Sequence, residues 1–142
     1  METAADRIGV LQSGDSKDAE CASRNLRRLA DRDPNSLAGF RKDILKLAMT
    51  AGDLRVRWNL IIILGKLPCT PSQRAATVDW LFERLRDSSP LTRTFALQAL
   101  MDLGKSDPAL RLRAIPIAHE FAETGSAAMR ARARKLLKQF TG

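Results

Sequence analysis

Tyrosine is absent from the 142 residues, histidine occurs once, and aromatic residues make up only 5%. With His119 alone, metal centres built on two or three histidines are excluded. No dinucleotide-binding Gly-x-Gly-x-x-Gly, no P-loop and no Gly-x-Ser-x-Gly elbow occurs, so the chemistries those motifs carry have no foothold. Asp79 and Glu83 lie one helical turn apart beside Arg84 and Arg86, which reads as a solvated, ion-paired face rather than an acid/base couple. The two cysteines, Cys21 and Cys69, have no CxxC spacing and read as free thiols in a reducing compartment. The longest unbroken apolar run is Leu60–Leu64, far short of the ~20 residues a membrane span needs. The first fifteen residues carry early acids and no apolar core, so no signal peptide is expected and the cytoplasm is the expected location. No metal and no cofactor is expected.

Strand signals are equally scarce. There is no alternating Val/Ile/Thr run and no Asn-Gly or Asp-Gly hairpin turn. Helix punctuation is abundant instead. Asp33-Pro34, Thr70-Pro71, Ser89-Pro90 and Asp107-Pro108 each place a capping side chain before a proline, which has no amide hydrogen to lose at the first helical position. Asp53 and Ser126 offer caps without proline, and Gly14, Gly52, Gly65, Gly104 and Gly125 stand where helices should stop. These marks predict helices over residues 3–12, 16–31, 34–50, 53–66, 71–87, 90–104, 108–123 and 126–140. Pro116 removes one intrahelical bond and predicts a kink in the seventh. The loops are only a few residues long, so successive helices must pack antiparallel.

The helices repeat. Val56-Arg57-x-x-Leu60-x-x-x-Leu64 matches Thr92-Arg93-x-x-Ala96-x-x-x-Leu100 and Met129-Arg130-x-x-Ala133-x-x-x-Leu137. The arginines step by 36 and then 37 residues (57 to 93, 93 to 130). A fixed period of this size marks a helical solenoid, in which one helix pair cannot bury its apolar face alone and stacks on the next. Each pattern follows a helix with its own apolar stripe: Leu37, Phe40, Ile44 and Leu47; Ala75, Val78, Leu81, Phe82 and Leu85; Leu110, Ile115, Ala118 and Phe121.

In GDLRVRWNLIIILG, SSPLTRTFALQALMDLG and GSAAMRARARKLLKQF the chain resembles the HEAT-repeat family, over about residues 34–140. The resemblance implies an all-α, right-handed α-α superhelix of about eight helices. Three HEAT-like pairs would span residues 34–66, 71–104 and 108–140. A degenerate capping pair would occupy residues 1–33, within a single domain overall. In residues 15–31, Ala22 and Leu26 fit the apolar slots while Ala19 stands where the arginine should be. The resemblance also implies that Arg57, Arg93 and Arg130 form a ladder to acids or carbonyls of adjoining repeats. Some HEAT-like DNA glycosylases place tryptophans and an aspartate in a basic groove. Trp58, Trp80 and Asp79 do not match that spacing residue by residue, and the chain is much shorter than those enzymes. The His-Glu dipeptide of HEAT-fold di-iron hydroxylases occurs once, at His119-Glu120, where those enzymes repeat it.

Charge is unevenly spread. The total is +8, with six Lys/Arg against seven acids in residues 1–33 and eighteen against nine in residues 34–142. Such an excess favours an acidic partner. At about 100° per residue, the second-helix face opposite the apolar stripe grades from Trp58, Ile61 and Ile62, through Leu97 and Met101, to Arg134, Lys135 and Lys138 flanked by Arg130. If that face lines the concave side, Trp58, Ile61, Ile62, Leu97 and Met101 are the expected partner contacts. Arg93, Arg130, Arg134, Lys135 and Lys138, with Lys105, are the expected anion contacts. The function expected is a non-catalytic protein–protein interaction or scaffold module for an acidic protein or peptide. The alternative is sequence-independent nucleic-acid binding through the basic C-terminal helix. Aromatics are not interleaved with that cluster, which leaves base stacking without support.

Overall fold

The computed structural model describes residues 3–14 and 16–141. Among these it holds eight α-helices, one 3-10 helix and no strand, an all-α fold. The α-helices are α1 (Ala4–Ser13), α2 (Ser16–Arg32), α3 (Arg41–Thr50), α4 (Leu54–Lys66), α5 (Pro71–Arg84), α6 (Pro90–Gly104), α7 (Pro108–Thr124) and α8 (Ala127–Thr141).

Most caps work as the sequence demands. The Asp53 side chain accepts the amides of Arg55 and Val56 at 2.8 and 3.2 Å. Ser89 accepts from Thr92, Asp107 from Leu110 and Ser126 from Met129, at 3.2–3.3 Å. Each such cap satisfies one of the free amides that open a helix. Asp33 is the exception: its side chain makes no capping bond, and residues 34–40 form a 3-10 helix before α3 begins. The single helix expected over 34–50 is therefore two. Ser36 turns its hydroxyl onto the Asp33 carbonyl at 2.8 Å, a local bond that competes with regular helix, and Gly39 adds a residue of poor helix propensity. Pro116 is carried inside α7 without ending it.

The helices form two compact units, Met1–Thr70 and Pro71–Gly142. In the first, α1 pairs with α2 and α3 with α4, and the pairs join where α2 packs on α4. Leu26, Leu37, Ile44, Leu60 and Ile63 have no exposed surface there. In the second unit α5 pairs with α6 and α7 with α8, joined by α6 against both α7 and α8. Its core includes Leu81, Ala96, Leu100, Ala114, Ala118 and Ala133, each also fully buried. Burying one leucine of this kind contributes about 1.5–3 kcal/mol.

The repeat register holds at every core position. Val56, Thr92 and Met129 are buried, as are Leu60, Ala96 and Ala133, and Leu64, Leu100 and Leu137. The arginines divide. Arg57 donates to the Ala48 and Ala51 carbonyls at 3.2 and 3.0 Å, and Arg93 to the Asp87 and Ser88 carbonyls at 2.7 and 3.5 Å. Both reach back to the end of the preceding helix in their own pair, where the last carbonyls lack intrahelical donors. The carbonyl partners are thus not in an adjoining repeat, although Arg93 also meets Met129 Sδ of the next pair at 3.8 Å. Arg130 departs from the ladder altogether: it is exposed, and the long contact to the α7 carbonyl of Ala122, at 3.4 Å, comes from Arg134 instead.

Candidate functional site

The apolar residues expected to meet a partner lie in the interior. Ile61 and Met101 have no exposed surface, Leu97 keeps 1% and Ile62 2%. These four are therefore corrected from partner contacts to core. Trp58 is half-buried. The misreading has a physical cause. On α6, the side opposite its own pair's core is covered by α8 of the same unit, so Leu97 and Met101 there record stacking and not an open groove.

The contacts within each unit identify the covered row. In Met1–Thr70, Ser23 and Arg27 of α2 meet Asn59 of α4 at 3.0 and 3.3 Å. In Pro71–Gly142, Arg93 and Gln98 of α6 meet Met129 and Arg132 of α8. Asn59 and Arg132 occupy the same register position, three after Val56 and Met129. The row that receives the next helix thus runs through Ser23 and Arg27 in α2 and through Arg93, Leu97 and Met101 in α6, with Gln98 at its edge.

In α8 the same register positions hold Arg130, Arg134 and Lys138, with Lys135 at the place of Gln98. All four are exposed, and among the described residues none is paired with a carboxylate. No acid occurs between Ser126 and Gly142. The helix is held from beneath by buried Met129, Ala133, Leu136 and Leu137, and by Arg111 of α7, whose guanidinium lies 5.4 Å above the Phe140 ring. Part of the positive charge suits the negative end of the helix dipole. Four cations aligned without one counter-charge exceed that need.

The other two expected anion contacts are otherwise engaged. Arg93 is corrected to a structural role, its guanidinium taken up by carbonyls. Lys105 faces solvent but pairs with Asp102 at 3.4 Å. Arginine roles that sequence reasoning missed lie on the first helices of the second unit. Arg74 is buried, 3.3 Å from the Leu103 carbonyl and 3.6 Å from Asp107. Arg111 closes the end of α6 through the Gly104 and Lys105 carbonyls at 3.0 and 3.1 Å. Their place near the start of an amphipathic helix, opposite a neighbouring helix end, was the available signal.

Little else gathers chemistry. A groove of about 600 Å³ between α5 and α7 has an apolar floor that includes Phe82 and Ile117, and a rim of both signs, Glu83, Arg86, Arg113 and Glu120. Arg113 lies 4.2 Å from the centre of the Phe82 ring. Trp80 is buried with Arg84 5.6 Å over its ring, while Asp79 beside it is exposed. Among the described residues no cluster of three His, Cys, Asp or Glu could hold a metal ion, and no helix is long and apolar enough to cross a membrane.

The family model described as HEAT repeats matches residues 41–138, more than half of the chain. Comparison with curated proteins and with solved structures finds no match. HEAT repeats generally serve as protein–protein interaction scaffolds and are typically non-catalytic. The match spans α3 to α8 almost whole and takes in all three arginine-marked helices, and by it the chain belongs to the HEAT-repeat family.

Proposed function

We propose that the chain is a non-catalytic protein-binding module whose partner is acidic and docks on the outer face of α8. One observation carries the reading: Arg130, Arg134 and Lys138 are open and unneutralised at positions where α6 holds half-buried Arg93 and buried Leu97 and Met101. A cation row of this kind steers an acidic surface and raises its association rate, an effect that salt screens. The second unit as a whole carries twelve Lys/Arg against seven Asp/Glu, a net +5.

The same row favours a second reading, in which it holds nucleic-acid phosphates. Against this, Phe140 is the one aromatic in α8, and it is packed under Arg111, so the helix presents no platform for a base. Fluorescence anisotropy separates the two. A labelled glutamate-rich peptide should bind at low salt, weaken at moderate salt, and be lost on Arg130→Ala/Arg134→Ala/Lys138→Ala with the circular dichroism unchanged. Tighter binding of DNA of equal charge, with log K falling per neutralised phosphate and decade of salt by about 0.9 for duplex or about 0.7 for single strands, would install the second reading. Peptide binding that the triple variant leaves intact would remove the site.

A further inference from the structure

We infer that the partner element received by α8 is an acidic α-helix, lying along the row as a following helix pair lies along α6. This rests on the protein-binding reading above and deepens it. Three observations converge. First, the row has been a helix-receiving surface wherever it is covered within a unit: Ser23 and Arg27 receive α4, and Arg93 and Gln98 receive α8. The cations of α8 stand at the positions of those contacts, Arg130 at that of Arg93 and Lys135 at that of Gln98.

Second, the row has helical spacing. Arg130, Arg134 and Lys138 are four residues apart, so at 1.5 Å per residue they rise about 6 Å at each step. A partner helix with glutamates at every fourth residue repeats at the same step. An interaxial distance of about 8–10 Å then brings long side chains of opposite charge together. Exposed Ala127 and Ala131 beside the row leave space for that approach. Third, the chemistry selects the sign. α6 offers Leu97 and Met101, both buried within the unit; α8 offers Arg134 and Lys138, which pair with carboxylates and penalise hydrocarbon that would strip them of water. The α1 and α2 faces of a second copy do not fit, because they expose Lys17, Arg24 and Arg28 along with Asp6 and Asp18.

The test uses two labelled peptides of identical composition in alanine, glutamate and lysine. One places glutamates at every fourth residue. The other scatters them around the helix. The periodic peptide should bind the full chain at least tenfold more tightly and gain helical circular dichroism on binding. Arg134→Leu/Lys138→Met, which installs the α6 residues, should lose at least tenfold in affinity for it. Arg134→Glu/Lys138→Glu should instead prefer a peptide with lysines at the same spacing. All four substitutions are on exposed side chains, and far-ultraviolet circular dichroism verifies that each variant is folded. Equal affinity for the two peptides overturns the helix inference and leaves the acidic-partner reading standing. Binding of neither overturns both. Concentration-dependent self-association of the wild-type chain, abolished by Arg134→Glu/Lys138→Glu, also overturns it by making a second copy the occupant.

Discussion

In Met1–Thr70 the seam between second helices is polar: Glu20 faces Arg55 at 3.7 Å, Ser23 and Arg27 share Asn59, and Asp31 pairs with Lys66. In Pro71–Gly142 the corresponding row carries hydrocarbon, with Leu97 and Met101 buried on the helix that also makes the Arg93–Met129 and Gln98–Arg132 contacts. Both seams occupy one register and join equivalent helices. A HEAT-like pair therefore does not require an apolar stacking row; it requires that the row and its cover match. Hydrogen bonds serve the first unit because Ser23, fully buried, gives its proton to the Glu20 carbonyl and accepts the Asn59 amide. The α8 row continues the pattern with a third chemistry, charge of one sign.

The largest effect should come from the part the units share. Leu60→Ala in the first and Leu100→Ala in the second each delete a fully buried side chain at equivalent depth. Each should lower stability by about 2–5 kcal/mol in urea titrations. A loss below about 0.5 kcal/mol at either site would mean that the two registers are not equivalent.

Smaller effects should separate the seams. Asn59→Ala removes two hydrogen bonds, one of them from a guanidinium, and should cost about 1–3 kcal/mol at 0.5–1.5 for each bond. Arg132→Ala at the matching position removes a half-buried side chain that bridges to Gln98 beside an apolar seam, and about 1 kcal/mol or less is expected. The same urea titrations read both. Equal losses would mean that polar matching does not carry the first seam.

The loops between paired helices differ in the same way. A Cβ on Gly125, before α8, would lie 2.8 Å from Met129 Cβ and 2.9 Å from the Phe121 carbonyl oxygen, whereas one on Gly52, before α4, would meet nothing within 4 Å. Gly125→Ala should thus destabilise by about 1–2 kcal/mol through overpacking. Gly52→Ala, at a position without positive φ, should stabilise by about 0.4–1 kcal/mol by restricting the unfolded chain. A loss at Gly52 equal to that at Gly125 would show that the two turns pack alike.

Helix positions were legible because capping residues, prolines and apolar spacing all act locally. Ser89, Asp107 and Ser126 needed only their neighbours in sequence to be read correctly. The 3-10 start at Pro34 was not, since Ser36 chose the Asp33 carbonyl over regular helix by a margin no pattern displays. The site was half legible. The cations of α8 stand out in sequence, and they remain exposed. Leu97 and Met101 look the same in sequence whether they line an open groove or a seam. Only the position of the covering helix, fixed by long-range contacts such as Arg93 to Met129, decides between those two settings.

The smallest expected effect concerns α1, the first helix of the first unit. The Thr3 hydroxyl accepts the Asp6 amide at 3.1 Å, while the Asp6 carboxylate accepts the Thr3 amide at 2.9 Å, a reciprocal cap on α1. The backbone bond from Thr3, and then its hydroxyl bond, hold the Asp6 carboxyl below its ordinary value. A carboxyl whose folded pKa is depressed contributes stability that is fully present above the unfolded pKa. That contribution is lost as pH falls through the folded pKa. Lowering the pH through the acidic range should therefore lower the protection factors of the α1 amides, taken against the intrinsic exchange rate at each pH, in the wild-type chain. In Asp6→Asn those amides should be less protected at neutral pH and show no further acid-dependent loss of protection, because the amide side chain has no proton to gain. Because Asp6 is fully exposed, the change should stay local to α1 and leave α8 protection untouched. Identical acid profiles for the two proteins would remove the cap from the account of how the first unit ends.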